Sequence, residues 1–93
     1  MLRIERTAQF KRDYKRELKG RHRNTLEASL IEVLKILVNN QPLAEKYKDH
    51  PLTGGYKDHR DCHIKPDLVL VYRITNNQTL QLVRLGSHSE LGF

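Results

Sequence analysis

The run Leu68-Val69-Leu70-Val71-Tyr72-Arg73-Ile74 constrains the fold more than any other stretch of the chain. Successive side chains of a strand point to opposite faces, so a strand apolar at consecutive positions must bury both. Such a strand belongs in the middle of a sheet. Its strictly apolar part, Leu68 to Tyr72, is far too short to cross a bilayer.

The segments around it follow other periods. Leu2 to Thr7 alternates apolar and charged residues, as a short half-buried strand does. Thr7 is placed to cap a helix running to about Lys19, with Phe10, Tyr14 and Leu18 as one stripe and Gly20 as its C-cap. A second helix starts at Asn24 or Thr25 and carries Leu26, Leu30, Val33, Leu34, Leu37 and Val38 until Asn39-Asn40-Gln41-Pro42 stops it. Leu43 to Thr53 reads as irregular or briefly extended, and Thr53-Gly54-Gly55 as a turn. A strand over Tyr56 to Ile64 would set Asp61, His63 and Lys65 on one side and Arg60, Cys62 and Ile64 on the other. Lys65-Pro66-Asp67 and Thr75 to Gln78 are turns, Thr79 to Leu85 is a further strand, and Gly86 ends it, leaving a tail. The order β-α-α-β-β-β predicts an α+β fold with a helical hairpin on one face of a small, mainly antiparallel, twisted sheet. The 93 residues are expected to form a single domain, 1–93.

Charge narrows the partners. The formal net charge is +6, and seven basic residues fall between positions 11 and 23 against only Asp13 and Glu17. Clustered Lys and Arg are the electrostatic footprint of a nucleic-acid binder, although an acidic protein or an anionic membrane would be attracted too. Cys62 is the only cysteine, which excludes an internal disulfide and favours a reducing compartment. The first residues lack the apolar stretch of a signal peptide, so the expected location is cytoplasmic.

The stretch from Lys48 to Asp67 holds three of the five histidines and four aspartates. Antiparallel strands joined by tight turns return Leu85 to the neighbourhood of Leu68, and Gly86 to His88 to the Pro66-Asp67 turn. His63, Asp67 and His88 should therefore gather at one end of the sheet, an arrangement suited to acid–base chemistry near neutral pH. Arg84 and Arg60 could bring guanidinium forks to a phosphate there. A metal site built from His59, Asp61 and His63 is geometrically conceivable, but no established ligand spacing is present and no metal is expected.

Taken together, Tyr47-Lys48-Asp49-His50-Pro51-Leu52, Gly55, the run Arg60-Asp61-Cys62-His63-Ile64-Lys65-Pro66-Asp67 with the apolar strand after it, and Arg84-Leu85-Gly86-Ser87-His88 resemble the YafQ branch of the RelE toxin superfamily. The resemblance covers essentially the whole chain. It implies a RelE-like fold and a ribosome-dependent endoribonuclease that cuts mRNA in the ribosomal A site, silenced by a cognate antitoxin. By matching position, the family's active-site groups fall on His50, His63, Asp67 and His88, with Asp61 close by. His50 enters on the resemblance alone. The family's tail phenylalanine has its counterpart in Phe93, one position later, with Gly92 in between.

The chemistry expected of such a site needs no metal or cofactor, because the 2′-hydroxyl of RNA is itself the nucleophile. A base, an acid and positive charge for the transition state are required. Asp67 or His63 would supply the base, His88 or His50 the acid or charge stabilisation, and Arg84 and Arg60 the phosphate contacts. Lys11, Arg12, Lys15, Arg16 and Lys19 would contact ribosomal RNA. The rival readings are a non-catalytic RNA- or ribosome-binding module and an inactive relative that only binds an antitoxin.

Overall fold

A computed structural model describes residues 1–92. The strands form one sheet in the order β1-β5-β4-β3-β2, where β1 is Arg3–Arg6, β2 His50–Pro51, β3 Arg60–Lys65, β4 Leu68–Thr75 and β5 Thr79–Gly86. Helices α1 (Ala8–Glu17) and α2 (Leu26–Val38) cover one face, and a short helix α3 (His88–Leu91) follows β5. All neighbouring strands are antiparallel except β1, which runs parallel to β5. No described helix is long and apolar enough to cross a membrane.

The apolar run is the central strand, as its pattern required. Leu68, Leu70 and Tyr72 face the helices with Leu26, Leu30, Val33, Leu37 and Phe10, while Val69 and Val71 face the other side with Val83 and Leu91. Burying both faces removes on the order of 2 kcal/mol of apolar exposure per large side chain, so β4 anchors both layers.

Sequence expectations shift at several places. The strand expected over Tyr56 to Ile64 begins only at Arg60, after a 3₁₀ turn at Gly54–Tyr56, and β1 is exposed at all four of its residues where half-burial was expected. The α1 stripe does not continue to Leu18, which is 41% exposed; Asp13 is buried in its place. Gly20 does not cap α1: the helix ends at Glu17, Leu18 caps it in right-handed geometry, and turns continue to Leu26. Thr7 is the N-cap as expected. Its hydroxyl accepts the Phe10 N–H at 3.0 Å and donates to the Val83 carbonyl at 2.8 Å, so the cap also ties α1 to β5.

Val83 is an extra residue on β5. Tyr72 pairs with Leu82 and Val71 with Arg84, which leaves Val83 unmatched. The strand therefore changes phase at this bulge. Leu80 and Leu82 face the helical core before it, and Leu85 does so after it.

Candidate active site

The open face of the sheet gathers His50, Asp61, His63 and His88. β2 is only two residues long, and its pairing of His50 with Asp61 brings the imidazole over the carboxylate. His50 Nε2 lies 2.8 Å from Asp61 Oδ1, an ion-pair approach that is not aligned as a hydrogen bond, so Oδ1 is buried without a hydrogen-bond partner. One strand step along β3, the His63 ring meets the His88 ring edge-on, with centroids 5.0 Å apart.

Asp61 is the buried centre of this group, 1% exposed. Burial pushes its carboxyl above the usual carboxylate range, while His50, His63 and His88 pull it back down. Three imidazoles thus share the field of one poorly solvated carboxylate.

His88 owes its position to local chemistry in the tail. Ser87 caps α3 by accepting the Glu90 N–H at 3.1 Å, and the Glu90 carboxylate accepts the Ser87 N–H at 2.9 Å. This capping box opens the helix at His88. Leu91, 8% exposed, pins its other end against the open-face apolar cluster of Val69, Val71 and Val83.

Asp49 sets the approach to His50. It accepts the Tyr72 hydroxyl and the Arg60 guanidinium, with Arg60 Nη2 at 3.2 Å. Arg60 is thereby held on the Tyr72 side and does not reach the imidazole cluster, because even-numbered residues of β3 face the helices. Its expected place at the phosphate is corrected accordingly.

Asp67 also departs from expectation. It does reach the same end of the sheet, but at the apex of the β3–β4 turn its carboxylate faces the α1–α2 connection. His22 Nε2 lies 2.8 Å from Oδ1 and Arg21 Nη1 3.1 Å from Oδ2. Partial burial disfavours its charge, but the bond from His22 and the nearby Arg21 hold it below the ordinary range. The central carboxylate of the cluster is Asp61 instead.

Arg84 lies on the open face opposite Val71, yet its Nε donates to Asp13 Oδ2 at 2.8 Å. Arg16, expected on an RNA-facing surface, is likewise committed. Its Nη2 donates to the Leu85 carbonyl at 2.7 Å, and Asp13, Glu17 and Glu90 lie at 3.0, 3.0 and 3.2 Å. Lys11, Arg12, Lys15 and Lys19 are exposed. Phe93 lies outside the described residues.

Among the described residues no three histidine, cysteine or carboxylate side chains gather in an arrangement able to hold a metal ion. His59 stacks edge-on against Tyr56, centroids 5.3 Å apart, and burial followed by Arg73 lowers its pKa. Cys62 is fully buried with its thiol pushed up by burial, so it is not a nucleophile.

Sequence reasoning missed Asp13, Asp49 and His22, whose roles depend on tertiary placement. The tail helix had a readable signal: Ser87 and Glu90 stand at capping-box spacing.

The chain has known relatives in sequence and fold. The "mRNA interferase toxin YafQ" of Escherichia coli K12 is 39% identical over 95% of this chain and 92% of its own length. A metal-bound toxin from Helicobacter pylori superposes with a TM-score of 0.82 at 52% identity, covering 98% of this chain and 99% of that one. The E. coli DinJ-YafQ complex contains a chain that superposes at 0.83 with 37% identity, covering 98% of both chains. The family model for the bacterial toxin of type II toxin-antitoxin systems, YafQ, matches residues 2–92, and the chain belongs to that family.

Proposed function

We propose that the chain acts as a single toxin domain, a ribosome-dependent endoribonuclease that cuts mRNA in the ribosomal A site and so stops translation in the cytoplasm. Its partners are the ribosome, mRNA and a cognate antitoxin that silences it. The observation that carries this reading is the convergence of His50, His63 and His88 around buried Asp61. Likeness to a named mRNA interferase supports it.

Asp61 behind His50 stabilises the imidazolium that forms when His50 takes the 2′-hydroxyl proton. The 2′-oxygen attacks the phosphorus, and His88 gives a proton to the departing 5′-oxygen. His63 faces the charge that develops on the phosphorane-like transition state. Cleavage leaves a 2′,3′-cyclic phosphate and a 5′-hydroxyl. Asp67 has a positioning role: its ties to Arg21 and His22 steady the turn that follows His63. Lys11, Arg12, Lys15 and Lys19 contact ribosomal RNA phosphates, and Arg16 is excluded from that set by its internal bonds.

Induced expression followed by mapping of mRNA 5′ ends tests the reading, with purified toxin on programmed ribosomes as the second arm. His88→Ala should abolish new ends while the variant keeps its folded spectrum. Removing one proton-transfer group should cost about 10²-fold or more. Wild-type cutting by His88→Ala would overturn the assignment, and ribosome binding without cyclic-phosphate ends would favour a non-catalytic module. No metal takes part in this scheme, so cutting should persist in EDTA; loss restored by a divalent ion would reject that part.

A further inference from the structure

β2 pairs with β3 only at Arg60 and Asp61, so the outer edge of β3 from Cys62 onward has no strand beside it. Along that edge runs a groove of about 390 Å³, backed by α2 and the Glu45–Tyr47 turn and lined by Lys46, Lys48, Lys65 and Ser29, with His63 at its rim. Glu32 also lines it, but this carboxylate already accepts the Tyr47 hydroxyl at 2.9 Å. The Lys46 ammonium lies 5.0 Å from the centroid of the Tyr47 ring, a cation–π contact with another residue of the groove lining that keeps this charge at the groove.

The backbone adds a second, independent observation. Four described non-glycine residues have positive φ: Asn40, Asn76, Asn77 and Lys48. Asparagine suits the left-handed region because its short polar side chain bonds locally, whereas lysine has no such compensation. At the one left-handed position beside the groove, the chain carries a cation where glycine or asparagine would fold more easily. An observed conformational cost of this kind is a legitimate pointer to function.

We infer that Lys46, Lys48 and Lys65 form a phosphate subsite for single-stranded RNA, holding the backbone of nucleotides that flank the scissile phosphate at His63. This rests on the endoribonuclease reading above. Ammonium groups suit the role because they bind phosphates without reading bases, positioning the strand and leaving its sequence free. The lysine set is distinct from the α1 cluster assigned to ribosomal RNA.

The test is fluorescence anisotropy with a 2′-O-methylated single-stranded RNA dodecamer, which binds but cannot be cut, over a range of salt. Wild type is compared with the triple variant Lys46→Gln, Lys48→Gln, Lys65→Gln and with His88→Ala, and cutting of unmodified mRNA on ribosomes is followed in parallel. Neutralising three phosphate contacts should reduce the slope of log affinity against log salt by about 2 and weaken binding by tenfold or more at moderate salt. KM for cleavage should rise with kcat held. His88→Ala should bind as wild type does and not cut. An unchanged slope and affinity in the triple variant would overturn the subsite and leave the β3 edge for strand addition by a protein partner. Wild type that binds RNA through these lysines yet cuts nothing would reject the endonuclease reading and retain the subsite. Wild type that fails to bind the oligonucleotide would reject the subsite.

Discussion

Two strands of this sheet lose their outer neighbour halfway along, and the protein treats them in opposite ways. β1 covers β5 only as far as Leu82, and beyond it α1 takes over the edge. Asp13 accepts the Leu85 N–H at 3.0 Å, and Arg16 donates to the Leu85 carbonyl at 2.7 Å, so two side chains replace the missing strand. On β3 the short β2 ends after Asp61 and the edge is left to a groove rimmed with lysines. Exposed edges invite pairing with foreign strands, and both a covering element and lysine discourage it. The difference lies in what happens to the charges. At β5 they are matched to one another; at β3 three lysines line the groove with His63 against the single carboxylate of Glu32. A closed edge holds the fold, and an open charged edge is where a ligand of opposite sign can lie.

That contrast breaks most visibly at Asp13. Asp13→Ala strips Arg84, Arg16 and the Leu85 N–H of their shared acceptor, and removing one member of a buried pair typically costs 3 kcal/mol or more. A chain of this size should then melt on the order of 15 °C lower. A thermal scan showing less than a few degrees of change would mean that the β5 edge is not closed by this carboxylate.

Gly86→Ala is the next test. A Cβ there would stand 2.6 Å from the Arg16 guanidinium and 3.3 Å from the Glu90 carboxylate. Arg16 must move off the Leu85 carbonyl, at a cost of about 1–2 kcal/mol. Because Glu90 also caps α3, His88 should be displaced and kcat should fall more than stability alone accounts for. Normal kcat with the expected loss in urea unfolding would separate the clasp from the site.

The β3 side should respond with the opposite sign. Lys48→Gly relieves the left-handed backbone and is expected to stabilise by about 1 kcal/mol while weakening RNA binding. Destabilisation in the same unfolding assay would show that Lys48 serves the fold.

The smallest effect belongs to Asp61. Its carboxyl is raised in the folded state, chiefly by burial. The native state therefore binds that proton more tightly than the unfolded chain, and stability falls as pH rises from the unfolded value to the raised one. Asp61→Asn should remove this decline and leave the variant slightly more stable than wild type at neutral pH, with cutting lost. A stability difference between the two that is flat across the acid range would contradict the burial argument.

Much of the fold was legible because periodicity reports burial. The double-faced run Leu68–Ile74 named the central strand, and the stripe from Leu26 to Val38 named its cover. The edges were not legible. Where β1 stops, and hence that Asp13 and Arg16 must stand in for it, depends on a tertiary register that no local pattern encodes. For the same reason the basic α1 face read as five equivalent charges, although the exposed Arg16 is already bonded to Leu85, Asp13, Glu17 and Glu90. In the site, turn geometry correctly brought His63 and His88 together. It failed for Asp67 because being near the right end of a sheet does not determine which way a turn side chain faces. Asp61 was placed on the correct strand face, but its burial came from β2, whose two residues carry too little pattern to be read.

The unmatched Val83 gives β5 an asymmetric tolerance of length. Delete it, and Leu82, Arg84 and Leu85 already stand opposite Tyr72, Val71 and Leu70, so every later position keeps its partner and its inward or outward aspect. Insert one further residue after it, and the alternation has no slack left to absorb the step. Leu85 would leave the interior and Ser87 would begin its helix from the wrong side. The imidazole of His88 would then be delivered away from its partners with its identity untouched, so activity in this molecule hangs on a count as well as on chemistry.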